Sequence, residues 1–323
     1  MSSFARVPDV SSRELHAICT IAEEGSFMAA SLTLNLSQPA LTRMVQRIEA
    51  AVGLSLFHRT TRRVEATPAG KEFIALASRV LADLRISFEG MREISDEERG
   101  RVVLSSVMSV AYTHLPRIVA SYRGSRPGVE IVVQEGVHGA VLEDVRSGVA
   151  DLGLGYLHDV PSDFSSIPFE VEAFYVVMPR RHPLGQHAKL TLNDLAGVPM
   201  VSLPRDAQTR RMLDGYAAIQ SITLDHAVTV CQFATLMQFV HAGAGIAIVP
   251  GGTVPSAKQA DLVVRPLVKP EMGRSLGVLM LKDRGLTPSA RGFLFHLQDQ
   301  WKQVGNQRSA AQKNSLAAAL QSK

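Results

Sequence analysis

Apolar residues near the start of the chain recur at helical spacing. Leu15, Ile18, Cys19 and Ala22 share one face over residues 13–24. Gly25 predicts the end of that helix and Ser26 the cap of a second, running from about Ser26 to Leu34 with Phe27, Ala30 and Leu34 inward. Asn35 and Leu36 read as a turn. Ser37 is placed to cap a third helix, where Pro39 is tolerated because a first-turn N–H has no intrahelical partner. Leu41, Val45 and Ile48 form its apolar stripe, which turns Arg43, Gln46 and Arg47 outward. The residues flanking Thr60-Thr61 predict a short two-stranded wing, and Thr67-Pro68 pairs a capping hydroxyl with a first-turn proline. From Pro68 to about Asp96 or Arg99 the apolar positions are Phe73, Ala77, Val80, Leu84, Phe88 and Met91. A helix of about 29 residues extends roughly 40 Å, beyond a small domain, so its single stripe reads as a dimerisation face rather than one packed on its own domain.

From Gly100 strand-like runs alternate with helical ones. Residues 101–105, 129–134, 151–155, 173–178, 198–202, 227–230, 245–249 and 275–281 read as strands. Helical patterns lie around 112–123, 141–149, 210–220, 232–242 and 288–304. This alternation predicts an α/β fold with largely parallel sheets. Asp159-Val160-Pro161 and Arg265-Pro266 to Lys269-Pro270 are candidate crossings between two lobes. The expected division is 1–67, a linker helix 68–99, an α/β domain 100–305 and a tail 306–323. Within the α/β domain, one lobe takes about 100–160 and 271–305, the other about 161–270.

Composition sharpens the first of these regions. The chain carries a formal charge of +4. Residues 37–63 hold Arg43, Arg47, Arg59, Arg62 and Arg63 against Glu49 alone, so this segment by itself matches the excess of the whole chain. A solvated charged face is the plain reading of such a cluster. Its coincidence with a helix-turn-helix pattern favours nucleic acid instead. Cys19 and Cys231 offer no disulfide framework or metal spacing, and Cys19 fits a small core position. The start shows no basic segment followed by an apolar run, and no stretch reaches 18 apolar residues. The expected compartment is the cytoplasm. G-x-S-x-G, P-loop, H-E-x-x-H and C-x-x-C motifs are missing, and histidines 114, 138, 158, 182, 187, 226 and 241 are scattered. No catalytic centre, cofactor or metal is expected, although a dispersed Ser/His/Asp set is invisible in sequence. A solute-binding protein is disfavoured by the N-terminal extension.

The ordered set Gly25-Ser26-Phe27, Ala29-Ala30, Leu34, Ser37-Gln38-Pro39-Ala40, Arg43, Glu49, Gly53, Leu56-Phe57, Arg59 and Thr67-Pro68-Ala69-Gly70 resembles the LysR-type transcriptional regulators. Further runs fit to about residue 305, among them Arg126-Pro127-Gly128-Val129 and Ala242-Gly243-Ala244-Gly245-Ile246. Thr42 stands where the family usually has serine, and Ser31-Leu32-Thr33 replaces a more usual charged pair. The resemblance implies a winged helix-turn-helix, a dimerising linker helix and a two-lobed α/β effector domain like a periplasmic binding protein. It also implies a homotetramer on a bipartite double-stranded DNA site, RNA polymerase as a further partner, and a small-molecule effector between the lobes.

Gln38 and Arg43 are the candidates for base edges, because amide and guanidinium groups pair bidentately with adenine and guanine. Ser37, Thr42 and Arg47 are expected on phosphates, with Pro39 and Ala40 in the same helix start and Arg59, Arg62 and Arg63 on the wing. In parallel α/β proteins ligands sit at the C-terminal ends of strands. Those ends supply Ser105, Ser106 and Ser109, then Glu135, Gly136 and Val137, and Ser202 and Leu203 in the other lobe. Gln232, Phe233 and Thr235 open a helix whose N-terminus favours an anion. The alternative for each is an ordinary strand-exit hydroxyl or cap.

Overall fold

The computed structural model describes residues 9–58, 64–95, 100–259, 261–269 and 273–301. They form two compact units, one reaching to Ser95 and a larger one built on the sheets beyond Gly100.

In the first unit, α1 (Ser12–Glu24) opens with a capping box: Ser11 Oγ accepts from the Glu14 N–H, and Glu14 accepts from the Ser11 N–H. Gly25 closes α1 in the left-handed region at φ 61°. Ser26 caps α2 (Phe27–Thr33) and Ser37 caps α3 (Gln38–Val52). Asn35, at φ 52°, makes the turn between them. The wing pairs β1 (Phe57–His58) with β2 (Glu65–Ala66), antiparallel. Then α4 (Pro68–Ser95) begins. Ile18, Ile21, Ala30, Leu41, Ile48 and Leu56 make the core, and Cys19 is buried beside it.

The second unit alternates strands and helices: β3 (Gly100–Val107), α5 (Met108–Thr113), α6 (Leu115–Ser125), β4 (Val129–Gly136), α7 (His138–Ser147) and β5 (Leu152–Tyr156). There follow β6 (Phe164–Met178), β7 (Leu190–Thr191), β8 (Pro199–Ser202), α8 (Gln208–Ile219), β9 (Asp225–Thr229), α9 (Phe233–His241), β10 (Ala247–Pro250), α10 (Val254–Gln259), β11 (Val263–Lys269) and β12 (Gly273–Leu281). A last helix, α11, covers 288–301 within the described residues.

Two expectations need correction. The sheets are mixed rather than largely parallel. β3 runs parallel to β4 and β5, but β12 is antiparallel to β5 and β6, and both β10 and β11 are antiparallel to β6. The first lobe crossing is not at 159–161, which only joins β5 to β6. The crossing is β6 itself: its residues 164–173 pair with β12, and from Phe174 onward it pairs with β10 and β11. Pro168 hid this strand in the sequence. It sits where the register with β12 shifts, and the shift accommodates a residue that cannot donate. The second proposed crossing, Arg265-Pro266, lies inside β11, and Pro270 lies outside the described residues, as do the tail and the end of the linker. One lobe packs around Leu104, Leu152, Phe293 and Val278, the other around Phe174, Leu190, Met200, Val201 and Val249.

Candidate nucleic-acid interface and interlobe cleft

The start of α3 is the polar face of the first unit. Gln38, Pro39, Arg43, Gln46 and Arg47 are exposed, and Ala40 is half-buried. Ser37 Oγ accepts from the Ala40 N–H, which leaves its own proton free to donate to a phosphate. Thr42 differs: its hydroxyl already donates to the Gln38 carbonyl at 2.9 Å, so the expected phosphate contact lacks its proton. Arg47 also has a partner within the protein. Its Nε lies 2.5 Å from Oε1 of the buried Glu14, and Nη2 contacts the same oxygen, tying α3 to α1. Burial would raise the Glu14 pKa. The two bonds from Ser11 and the Arg47 contact outweigh it and hold the carboxyl below its usual range. Arg43 stands exposed on the same helix. Arg59, Arg62 and Arg63 lie outside the described residues.

Two contacts at Leu56 fix the entry to the wing, one from α3 and one from α4. Glu49 accepts from the Leu56 N–H at 2.7 Å. Gly70, in the first turn of α4, passes so close to Leu56 that a Cβ there would lie 1.9 Å from its carbonyl oxygen. Gln46 and His58 border the groove between α3 and the wing, which Gln38 and Thr42 also line. Neither was singled out in the sequence as a contact. Gln46 was legible there, being outward on α3.

Along α4 the apolar stripe divides. Phe73 packs on the core and Ala77 is buried, whereas Val80, Leu84, Phe88 and Met91 are exposed, the last two at 66% and 71%.

In the second unit a narrow cleft lies between the lobes. Val107, Ser109, His138 and Tyr156 line it from one side, and Leu203, Gln208, Thr209 and Phe233 from the other. Gly136 and Val137 join this lining. Of the sequence-predicted effector residues, Ser109, Gly136, Val137, Leu203 and Phe233 therefore meet. The others do not. Ser105 Oγ donates to Asp144 at 2.6 Å and Ser106 to the Val107 carbonyl, both buried behind the cleft. Ser202 is held 2.6 Å from His226 Nδ1, while Glu135, Gln232 and Thr235 face solvent outside the lining. Met108, His138, Tyr156, Ala207, Gln208 and Thr209 line the cleft without having been singled out. Tyr156 ends β5, and His138 follows β4 by two residues, so both stand at the strand ends where a ligand is expected. His158 of one lobe and Gln208 of the other are hydrogen-bonded, which closes the cleft.

Ser202, His226 and Asp214 do form a hydrogen-bonded row, with His226 Nε2 3.1 Å from Asp214 Oδ1. Asp214 also takes both bonds from Arg210 Nε, at 2.8 and 2.9 Å. The row braces β8, β9 and α8 outside the cleft lining and reads as structural. His114, Glu170 and Glu172 come close enough to share a cation, but His114 Nε2 bonds Glu170, and Glu172 is occupied by Arg274 and the Gly252 N–H. Among the described residues no helix is long and apolar enough to cross a membrane.

Residues 12–71 match the family of bacterial regulatory helix-turn-helix proteins of the lysR type, and residues 95–302 match the LysR substrate binding domain. The uncharacterized HTH-type transcriptional regulator YbhD of Escherichia coli K12 is 28% identical over 287 residues, covering 89% of this chain and 90% of its own. A full-length OxyR variant from Pseudomonas aeruginosa has the same fold at TM-score 0.70 and 22% identity, covering 93% of this chain and 96% of that one. CbnR in complex with its target DNA aligns at TM-score 0.63 and 22% identity, over 90% of this chain and 99% of that one. The effector-binding domain of QuiR in complex with shikimate aligns at TM-score 0.57 and 18% identity, over 64% of this chain and 98% of that one. With its helix-turn-helix and its two-lobed domain both matched, the chain belongs to the LysR family, whose members are DNA-binding transcriptional regulators and not enzymes.

Proposed function

We propose that this regulator reads a specific DNA sequence with the exposed face of α3 and answers to a small anion, such as a carboxylate, held between its lobes. One observation carries the effector reading. α8 and α9 both begin at the cleft without a side-chain cap, and the buried Ser109 hydroxyl lines the same space without a partner. Uncapped first-turn N–H groups and the helix dipole attract negative charge. QuiR, whose effector domain is bound to shikimate, a carboxylate, supports the same class of ligand. Two copies of the exposed α4 stripe would bury each other and form a dimer. Pairing of dimers would give the tetramer that a bipartite site requires. RNA polymerase is then the partner through which occupancy changes transcription, and the compartment is the bacterial cytoplasm.

The test is selection of sites from a random duplex pool by the full chain at two salt concentrations, repeated with added small carboxylates. A recovered sequence with dyad symmetry that survives the higher salt, and whose affinity changes with one of the acids, supports the reading. Binding that vanishes with salt and shows no preference overturns its DNA part. Selection that no acid alters overturns its effector part.

A further inference from the structure

Two polar side chains in the cleft are without hydrogen-bond partners among the described residues: Ser109 Oγ and both ring nitrogens of His138. Ser109 is 3% exposed, and the His138 nitrogens are closed to solvent. The His138 ring is held in place by its neighbours. It packs against Tyr156 at 5.3 Å between centroids and stacks on His158 at 6.3 Å, 21° from parallel. Gly155 lies against it, close enough that a Cβ there would come within 3.0 Å of Nδ1. Burial, then the neighbouring His158 and Arg211, push its pKa down to about 4. Near neutral pH it is therefore an uncharged imidazole with one donor and one acceptor.

The narrow cleft that these groups line together with ten other residues measures about 30 Å³, enough to admit a water-sized group. A single oxygen that both donates and accepts fits that space and its lining. A hydroxyl does so whichever imidazole nitrogen carries the proton. A carboxylate oxygen, which only accepts, suits only the tautomer whose N–H faces it.

We propose that this cavity takes one hydroxyl group of the effector, that the effector is a small hydroxy acid, and that His138 is the residue that discriminates it from the acid lacking the hydroxyl. The inference rests on the reading of an anion in the cleft: the uncapped starts of α8 and α9 receive the carboxylate, and Ser109 and His138 receive the hydroxyl. The body of the acid enters as the lobes part at the His158–Gln208 contact.

The experiment measures binding to the full-length chain by calorimetry with matched probes: shikimate against cyclohex-1-ene-1-carboxylate, 4-hydroxybenzoate against benzoate, lactate against propionate, and the neutral alcohols cyclohexanol and phenol. It is repeated on His138→Phe, which keeps a ring against Tyr156, and on Ser109→Ala. The expected result is at least one hydroxy acid bound about tenfold or more tighter than its partner, because a site built to bond a hydroxyl rejects the analogue without one. His138→Phe should bring that ratio close to one, and Ser109→Ala should lower the ratio in the same direction. Acids that bind equally with and without the hydroxyl, or a ratio that survives in both variants, overturn the inference and leave the anion reading standing. Neutral alcohols that bind in a His138-dependent way while the acids do not support the hydroxyl cavity and overturn the anion reading. No binding by any probe overturns both.

Discussion

Arg274 Nε lies 2.8 Å and Nη2 2.6 Å from Oε2 of Glu172, its partner across the β6–β12 ladder, with the two side chains 2% and 3% exposed. The pair sits where the sheet passes from one lobe to the other. Arg274 Nη1 donates to the Tyr156 hydroxyl at 3.0 Å and to Thr209 Oγ1 at 3.2 Å, so it holds one cleft residue of each lobe. Glu172 Oε1 accepts from the Gly252 N–H at 2.5 Å. Each guanidinium nitrogen and both carboxylate oxygens thus have a partner, as a desolvated pair requires. Removing the arginine strands a buried carboxylate. Arg274→Met should cost about 3–5 kcal/mol, and adding Glu172→Leu should restore much of that loss. Urea unfolding followed by the fluorescence of the single tryptophan, Trp301, reads both. A single substitution that costs under about 1 kcal/mol would mean the pair is hydrated in solution.

That pair also marks the limit of what the sequence discloses. Ser11, Ser26 and Ser37 cap their helices from positions next to the apolar stripes, so the helix-turn-helix was readable from local chemistry. Arg274 and Glu172 are 102 residues apart and meet only through a register that no local pattern fixes. β6 carries Glu170 and Glu172 near Pro168, a composition that reads as a loop, yet Glu172 is buried because Arg274 lies opposite. The cleft was half legible. Counting strand ends found Ser109 and Val137 but stopped one residue short of His138 and Tyr156. Ser105, Ser106 and Ser202 were chosen as hydroxyls without a way to see that Asp144, Val107 and His226 already engage them.

Arg43 and Arg47 lie four residues apart on α3, and Arg47 is tied to Glu14 of α1. Arg43→Ala should leave unfolding unchanged, cost about 1–3 kcal/mol of binding and relax the preference at one position of each half-site. Arg47→Ala removes the cation beside Glu14, so it should lower the melting temperature of the first unit as well as weaken binding to all sequences alike. Thermal melts and binding to a set of single-base variants distinguish the two. Equal melting temperatures for Arg47→Ala and wild type would return Arg47 to the phosphate role alone.

The exposed half of the α4 stripe should be buried in an assembly. Phe88→Glu places a charge among Val80, Leu84 and Met91 and should shift the protein toward smaller species in sedimentation, at unchanged helical content by circular dichroism. The loss should grow with dilution and be accompanied by weaker DNA binding, because half-sites are then engaged singly. An unchanged sedimentation profile would remove this stripe from the interface.

His138 gives the fold a defined response to acid. Its folded-state pKa of about 4 lies below the ordinary value of 6.5, chiefly through burial, with His158 and Arg211 adding to the shift and Asp159 opposing it. Between these two pH values the unfolded chain binds a proton at this position and the folded chain does not, so stability falls as pH falls through that window. His182 and His226, also lowered by burial, share the slope. The variant His138→Phe isolates the share of His138. The unfolding free energy of wild type minus that of the variant should be flat above about pH 7 and should decrease steadily from about pH 6.5 toward about pH 4. Denaturant unfolding of both proteins at closely spaced pH steps measures it. A difference that stays constant across the window would mean that the imidazole protonates in the folded state as readily as in the unfolded chain, and that the cleft is wetter than its closed nitrogens indicate.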